Sequence, residues 1–198
     1  MRQFETVTGE RVTVPDPDCL VHLQFRRFAG CPVCNLHLRS VVRRHDEIVE
    51  AGVRELVFFH SPADELRKHV AGLPFAVVAD PDKRVYVEYG VESAPRALLD
   101  PRVWWPILRS VVTGLVRRAP FPSSSPVGGR LGLPADFLIA PDGRVVASKH
   151  GEHAYDQWSV EELLAHADDF RAARESDLQK ATSRGVENEP AAGRFPGA

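Results

Sequence analysis

The chain has 198 residues, of which 43% are hydrophobic and 26% charged, and its formal net charge is -2. These values fit one globular domain with room for an insertion or a tail, and the near-neutral charge argues against bulk attraction to nucleic acid or anionic lipid. Three cysteines are too few for a disulfide scaffold, and the first residues lack the apolar core of a signal peptide. We therefore expect a reducing, cytoplasmic location.

The N-terminal part of the chain has the pattern of a hairpin followed by a strand. Residues 4–14 place β-branched side chains on either side of Gly9 and Glu10, which predicts a turn between two short strands. Residues 20–25 form a mostly apolar run that predicts a buried strand. His22 is expected at the surface of the sheet, and Cys19 is expected to be a packing residue.

Two cysteines separated by two residues follow this strand, at the start of a predicted helix. Unpaired N–H groups and the helix dipole stabilise an anion there, so the pKa of Cys31 is expected below its ordinary value of about 8.5. Pro32 suits the first helical position. Cys34 lies one turn along, with the two Cβ atoms about 5–6 Å apart, so a small adjustment closes a disulfide. This pattern favours a pair that cycles between dithiol and disulfide.

Two other interpretations of the cysteine pair are open at this point. A structural zinc site needs four ligands, and the sequence offers Cys19 and His37 in addition to the pair. The cysteines could also be buried and inert. No Gly-rich phosphate loop and no Ser/His/Asp arrangement competes with the cysteine motif as a reactive site.

The middle of the chain alternates predicted helices and strands. The helix after the cysteines stops at Gly52, and residues 55–60 form a continuous apolar run typical of a central strand. Ser61 is predicted to cap a second helix that ends at Gly72. Residues 75–79 predict another strand, followed by a further helical segment. This alternation predicts right-handed crossovers and a largely parallel arrangement.

An insertion interrupts the pattern at about residues 93–132. Its apolar segment, residues 103–116, carries Arg and Trp and is shorter than the ~20 residues that span a bilayer. We expect this segment to cover the core or a partner subunit. Contact with a membrane surface is the less favoured alternative.

The C-terminal part of the chain returns to a regular pattern before losing it. Residues 133–148 predict two strands joined by a Pro-Asp-Gly turn. Ser159 and Glu162 form a capping box that opens a last helix, from residue 160 to about residue 171. Residues 172–198 are polar and have no apolar period, which predicts a disordered tail after a domain of residues 1–171.

The ordered set of these elements resembles the peroxiredoxin-like branch of the thioredoxin superfamily, the alkyl hydroperoxide reductase/thiol-specific antioxidant group. The resemblance covers residues 4–170 without the insertion. The residues that carry it are the Gly9-Glu10 hairpin, Cys31-Pro32-Val33-Cys34, residues 78–82 and 89–91, and Leu133-Pro134 ahead of residues 137–143. It implies an α/β, thioredoxin-like fold: a central mixed sheet flanked by helices, with an N-terminal β-hairpin and a helical insertion.

The resemblance also implies chemical roles. Cys31 would attack a peroxide or a disulfide, Cys34 would resolve the product to a Cys31–Cys34 disulfide, and a thioredoxin-type dithiol would restore the pair. Pro134 would be a cis proline that faces the active-site cysteine. No cofactor and no metal is implied, and an uncovered sheet edge would allow a homodimer.

The chain departs from this family just before the first cysteine. Peroxiredoxins carry Thr or Ser three residues ahead of the reacting cysteine and a proline further upstream, whereas this chain has Phe28 and no proline. Three functions are therefore compared: a thiol peroxidase, a protein disulfide reductase without peroxidase activity, and a noncatalytic binding module that docks through Trp104 and Trp105.

Several further side chains are candidates for supporting roles. The default is a solvated surface position for the arginines, a loop-surface role for the histidines, and the capping of a turn for Asp136. Those that could stabilise the thiolate or bind substrate are Arg26, Arg27, Arg39 and Pro32. Those that could relay a proton or orient a partner are His150, His153 and Asp136.

Overall fold

The computed structural model of the protein describes residues 1–70, 72–91 and 132–187. The insertion predicted at residues 93–132 lies outside the described residues apart from Gly132, as does its segment 103–116, and so do residues 188–198. Among the described helices, none is both long enough and apolar enough to cross a membrane.

A hairpin and a five-stranded mixed sheet contain all the described strands. The hairpin pairs β1 (Arg2–Glu5) with β2 (Arg11–Val14) in antiparallel orientation. The sheet contains β3 (Leu20–Arg26), β4 (Val53–Phe59), β5 (Ala76–Ala79), β6 (Ala135–Ile139) and β7 (Val145–His150) in the order β5-β4-β3-β6-β7. β4 is parallel to β3 and β5, whereas β6 is antiparallel to β3 and β7. The predicted mixed sheet with an N-terminal hairpin is confirmed.

The described helices are α1 (Pro32–Arg43), α2 (His45–Glu50), α3 (Ala63–Arg67), α4 (Arg84–Glu88) and α5 (Val160–Glu187). The single helix predicted between the cysteines and Gly52 is divided at Arg44, whose φ of -117° and ψ of 23° leave helical geometry. Gly52 then takes a left-handed φ of 70°, a conformation that favours glycine, and starts the turn into β4.

The central strand β3 is buried along its whole length, and its two faces have different chemistry. Val21, Leu23 and Phe25 are in the apolar core with the hairpin and α4, where the rings of Phe25 and Phe58 stack at 5.0 Å. Because side chains alternate along a strand, His22 lies on the opposite face with the other polar residues of β3. His22 is buried there, so its predicted place at the sheet surface is wrong.

The last helix begins as predicted and ends later than predicted. The capping box is confirmed, since the Glu162 N–H donates to Ser159 Oγ at 3.2 Å and the Ser159 N–H donates to Glu162 Oε2 at 2.7 Å. The helix continues to Glu187, so the disorder predicted from residue 172 is wrong for residues 172–187. This part is rich in helix-forming residues. Its lack of an apolar period shows only that it has no core-facing stripe.

Candidate active site

Both cysteines of the predicted pair lie where β3 leads into α1. Cys31 is the N-terminal cap of α1, and Pro32 occupies its first turn. Gly30 reverses the chain with a left-handed φ of 71°, and the Cys31 N–H donates to Phe28 O at 3.1 Å. The cysteine pair therefore occupies a fixed strand-to-helix turn, as the sequence predicts.

Ser61 holds this turn from the next strand of the sheet. It follows β4, and its hydroxyl accepts the Ala29 N–H at 2.9 Å. The predicted role of Ser61 as a helix cap is wrong, because Pro62 is the N-terminal cap of α3. The His60 N–H also donates to Arg27 O at 3.1 Å. Two hydrogen bonds from the end of β4 thus fix the backbone before Cys31.

The two sulfur atoms are in contact and shielded from solvent. Cys31 is 0% exposed and Cys34 is 2% exposed, and both are free thiols. Their Sγ atoms are 2.6 Å apart, with Cys34 as donor, and the Cys34 backbone N–H donates to Cys31 Sγ at 3.3 Å. The pair can therefore close a disulfide with only a small movement, since the S–S bond is about 2.05 Å long.

Arg27 is the arginine that reaches the sulfur of Cys31. Its NH2 group donates to Cys31 Sγ at 3.2 Å, and its guanidinium lies 5.6 Å from the ring centre of Phe28. Arg27 is 3% exposed, so the default of a solvated surface arginine is wrong for it. A buried guanidinium in contact with a sulfur favours the thiolate, because the low-dielectric surroundings strengthen the attraction between opposite charges.

The two thiols ionise as a pair because they share a hydrogen bond. Burial is the largest influence and raises the pKa of both. On Cys34, the hydrogen bond with Cys31 and the charge of Arg27 outweigh burial and lower the pKa to about 6, whereas burial and the neighbouring Cys34 raise the pKa of Cys31. The shared proton can reside on either sulfur, and the geometry favours Cys34 as donor. One negative charge therefore belongs to the pair, and Arg27 lies beside it.

The segment that enters β6 passes beside Arg27. A Cβ on Gly132 would lie 3.1 Å from His60 Nε2 and 3.3 Å from Arg27 Cγ. Pro134 follows two residues later, and its carbonyl accepts the Gly151 N–H at 2.8 Å. The bond before Pro134 is trans, since the one cis peptide in the described ranges precedes Pro15. The predicted cis proline is therefore wrong; the trans amide is the favoured state of an X-Pro bond.

A basic cleft lies on the other side of the cysteine turn. It has a volume of about 460 Å³ and extends from Gly30 between α1 and the residues after α3. Arg39, Lys68 and His69 line it together with apolar residues such as Leu38. The structure thus places Arg39, which the sequence suggested for thiolate stabilisation or substrate binding, at this cleft.

The remaining candidates lie in other surroundings. His150 Nε2 is 3.1 Å from Tyr89 O, and the Tyr155 N–H donates to His153 Nδ1 at 3.3 Å; no described contact joins either histidine to the cysteines. Cys19 is half-buried beside a separate cavity of about 520 Å³. Within residues 1–70, 72–91 and 132–187, no group of three or more His, Cys, Asp or Glu residues is placed to hold a metal ion.

Comparisons with known proteins identify the family. Residues 38–153 match the family described as AhpC/TSA antioxidant enzyme, a match that begins after Cys34. No curated protein matches the sequence significantly.

Solved structures similar to this chain include a mutant of peroxiredoxin 6 of Arenicola marina, with 15% identity, 86% of this chain and 70% of that chain covered, and a TM-score of 0.62. Peroxidoxin BcpB from Mycobacterium tuberculosis has 16% identity, 85% and 92% coverage and a TM-score of 0.60. A putative thiol:disulfide interchange protein DsbE from Chlorobium tepidum has 17% identity, 84% and 92% coverage and a TM-score of 0.51. These likenesses show a thioredoxin-like fold. The match over residues 38–153 shows that the chain belongs to the AhpC/TSA antioxidant enzyme family, and its function is thiol-dependent redox chemistry.

Proposed function

We propose that the protein is a thiol peroxidase in which Cys31 attacks the peroxide and Cys34 resolves the product. The observation that carries this proposal is the contact of Cys31 Sγ with both Cys34 Sγ, at 2.6 Å, and Arg27 NH2, at 3.2 Å. An activated thiolate and its resolving partner are thus already within reach of each other. The complete burial of Cys31 favours a small peroxide over a bulky protein disulfide as the oxidant.

In the first step the Cys31 thiolate attacks one peroxide oxygen. The S–O bond forms, the O–O bond breaks, and the departing alkoxide or hydroxide takes a proton to become an alcohol or water. Arg27 stabilises the thiolate before the attack. Pro32 positions Cys31 by starting α1, and we assign the Pro134 segment to the wall of the site beside Arg27.

In the second step the Cys34 sulfur attacks the sulfenic acid on Cys31. The S–S bond forms, the S–O bond breaks, and water is released once the leaving hydroxide is protonated. A thioredoxin-type dithiol then reduces the Cys31–Cys34 disulfide and is itself oxidised. The cycle needs no bound cofactor.

A second candidate function is disulfide reduction without peroxidase activity. Phe28 favours it, because its buried ring stands where peroxiredoxins have a hydroxyl group to hold the peroxide. The same two cysteines would act, with a disulfide in place of the peroxide as the group attacked by Cys31.

Stopped-flow oxidation of the reduced protein separates the two functions. We expect rapid reaction with hydrogen peroxide that ends in a Cys31–Cys34 disulfide by mass spectrometry, and a Cys34→Ser variant that stops at the sulfenic acid. Cys31→Ser should abolish the reaction, and Cys19→Ser is the matched control that should leave it unchanged. Reaction with a small disulfide but not with peroxide would overturn the proposal in favour of the second candidate. Reaction with neither would overturn both.

A further inference from the structure

The face of β3 that packs under α1 carries a layer of polar side chains from four elements. All are at least 94% buried, and the layer is continuous from β4 through β3 to β6. Its members are His22, Gln24 and Arg26 of β3, Glu55 of β4, Asp136 of β6 and His37 of α1.

Arg26 occupies the centre of this layer. Its NH2 group donates to Asp136 Oδ1 at 2.7 Å and to Gln24 Oε1 at 2.6 Å, and it lies 3.2 Å from His37 Nε2. Asp136 is held in turn, since its Oδ2 accepts the Trp158 N–H at 3.1 Å. The guanidinium therefore has a fixed position between the sheet and α1.

The other end of the layer balances its charge. His22 Nδ1 is 3.1 Å from Glu55 Oε1, and His22 Nε2 is 3.1 Å from Asp136 Oδ1. Burial lowers the pKa of His22, but the charge of Glu55 and the bonds to both carboxylates outweigh it and raise that pKa to about 9. At neutral pH two cations, His22 and Arg26, thus face two anions, Glu55 and Asp136.

Stability alone does not account for such a layer. Each buried ion loses several kcal/mol of hydration, and replacing a buried ion pair by apolar side chains of similar volume is often neutral or stabilising. Ionisable groups with strongly shifted pKa values cluster at functional sites. The layer does meet the redox site, because His37 is one helical turn beyond Cys34 and Arg26 directly precedes Arg27.

We propose that Arg26 is a positioning residue of the redox site: clamped by Asp136 and Gln24, its guanidinium lies against His37 and fixes the first turns of α1, which carry Cys34. This inference rests on the proposed function, in which Cys34 attacks the sulfenic acid of Cys31. The Cys34 thiolate enters that step, the S–S bond forms, and hydroxide leaves from Cys31. A fixed positive charge therefore favours the reactant that must be ionised.

Arg27 is the other cation that acts on Cys34, and the remaining described groups around Cys34 carry no positive charge. Tyr86 of α4 donates to Phe58 O at 2.8 Å, and burial raises its pKa well above the ordinary value, so it is neutral. Burial and the charge of Arg26 lower the pKa of His37 to about 3, so it is neutral as well. Arg27 contacts Cys31. The charge of Arg26 is one of the influences that lower the pKa of Cys34, after those of Cys31 and Arg27.

The test measures the ionisation of Cys34 alone and needs no peroxide. Cys31→Ser/Cys19→Ser provides a parent with a single thiol, and iodoacetamide alkylation of Cys34 is followed against pH by mass spectrometry. Adding Arg26→Gln should raise the pH midpoint by about one unit or more. Adding Arg26→Lys, which keeps the charge, should restore at least half of that shift.

Glu55→Gln is the matched control, because Glu55 is equally buried in the same layer but does not contact Arg26. It should lower the urea midpoint of unfolding without moving the alkylation midpoint. If Arg26→Gln does not fold, Arg26→Met/Asp136→Leu removes the ion pair without leaving an unpaired buried charge, because His22 still pairs with Glu55, and the alkylation midpoint should again rise. An unchanged midpoint in a folded Arg26 variant, an equal shift in Glu55→Gln, or no recovery in Arg26→Lys would overturn the inference. Failure of the peroxide reaction would not affect this measurement, so the two proposals fail separately.

Discussion

Replacing Arg27 by Gln tests whether a buried guanidinium activates the cysteine pair. The substitution removes the positive charge 3.2 Å from Cys31 Sγ and keeps a neutral donor of similar shape. A cation this close to a thiolate lowers its pKa by about 1–3 units, and about two units correspond to roughly 3 kcal/mol. That value is below the direct attraction of two charges at 4 Å, about 4 kcal/mol at an effective dielectric constant of 20.

The expected result is a large loss of thiolate at neutral pH. In the parent protein the lower pKa of the pair is about 6, so about nine-tenths of the pairs are ionised at pH 7. A shift of two units leaves about one-tenth ionised. Iodoacetamide alkylation of the reduced protein at pH 7 should slow about tenfold, and the difference should disappear above about pH 10, where both proteins are ionised.

The control for this prediction is Arg43→Gln, at the other end of α1. Arg43 lies nine positions after Cys34 in the helix, which is about 13 Å of axial rise. Near-UV circular dichroism checks that both variants keep their packing. The reasoning is refuted if folded Arg27→Gln keeps the parent's pH midpoint of alkylation, or if Arg43→Gln moves that midpoint by the same amount.

Three further predictions concern the support of the site. Ser61→Ala removes the acceptor of the Ala29 N–H and should lower the free energy of unfolding in urea by about 1–3 kcal/mol; a change below about 0.5 kcal/mol would show that the bond is not needed. Gly30→Ala should destabilise the protein by more than about 1 kcal/mol, because its φ is 71° and the new Cβ would lie 2.8 Å from His69 Cε1, and a thermal midpoint equal to the parent's would contradict this. Burial lowers the pKa of His37 to about 3, so below about pH 6.5 the unfolded chain binds a proton that the folded protein does not. The free energy of unfolding should therefore decrease by roughly 1 kcal/mol for each unit by which the pH is lowered below that value. Urea unfolding between pH 5 and 7, with the active-site cysteines replaced so that they do not titrate, should give a steeper pH dependence in the parent than in His37→Gln, and equal slopes would refute it.

The tertiary structure changes the role of several polar residues that the sequence placed at the surface. Arg26, Arg27 and His22 alternate with or follow apolar residues in β3 and look solvated when the strand is considered alone. They are buried because β3 is the middle strand and α1 covers one face of it. Asp136 pairs across the sheet with Gln24, over a separation of more than 100 residues, and no local pattern specifies such a contact.

What the sequence by itself determined is local. Cys31, Pro32 and Cys34 specify a thiol pair at the start of a helix because helix capping and the 3.6-residue turn act within a few residues, and the Ser159 box specifies the start of α5 for the same reason. Only the tertiary structure decided which arginine reaches the sulfur, which hydroxyl holds the turn, and which charges lie beneath α1. Those choices depend on strand order and register, which bring together side chains that are distant in the chain.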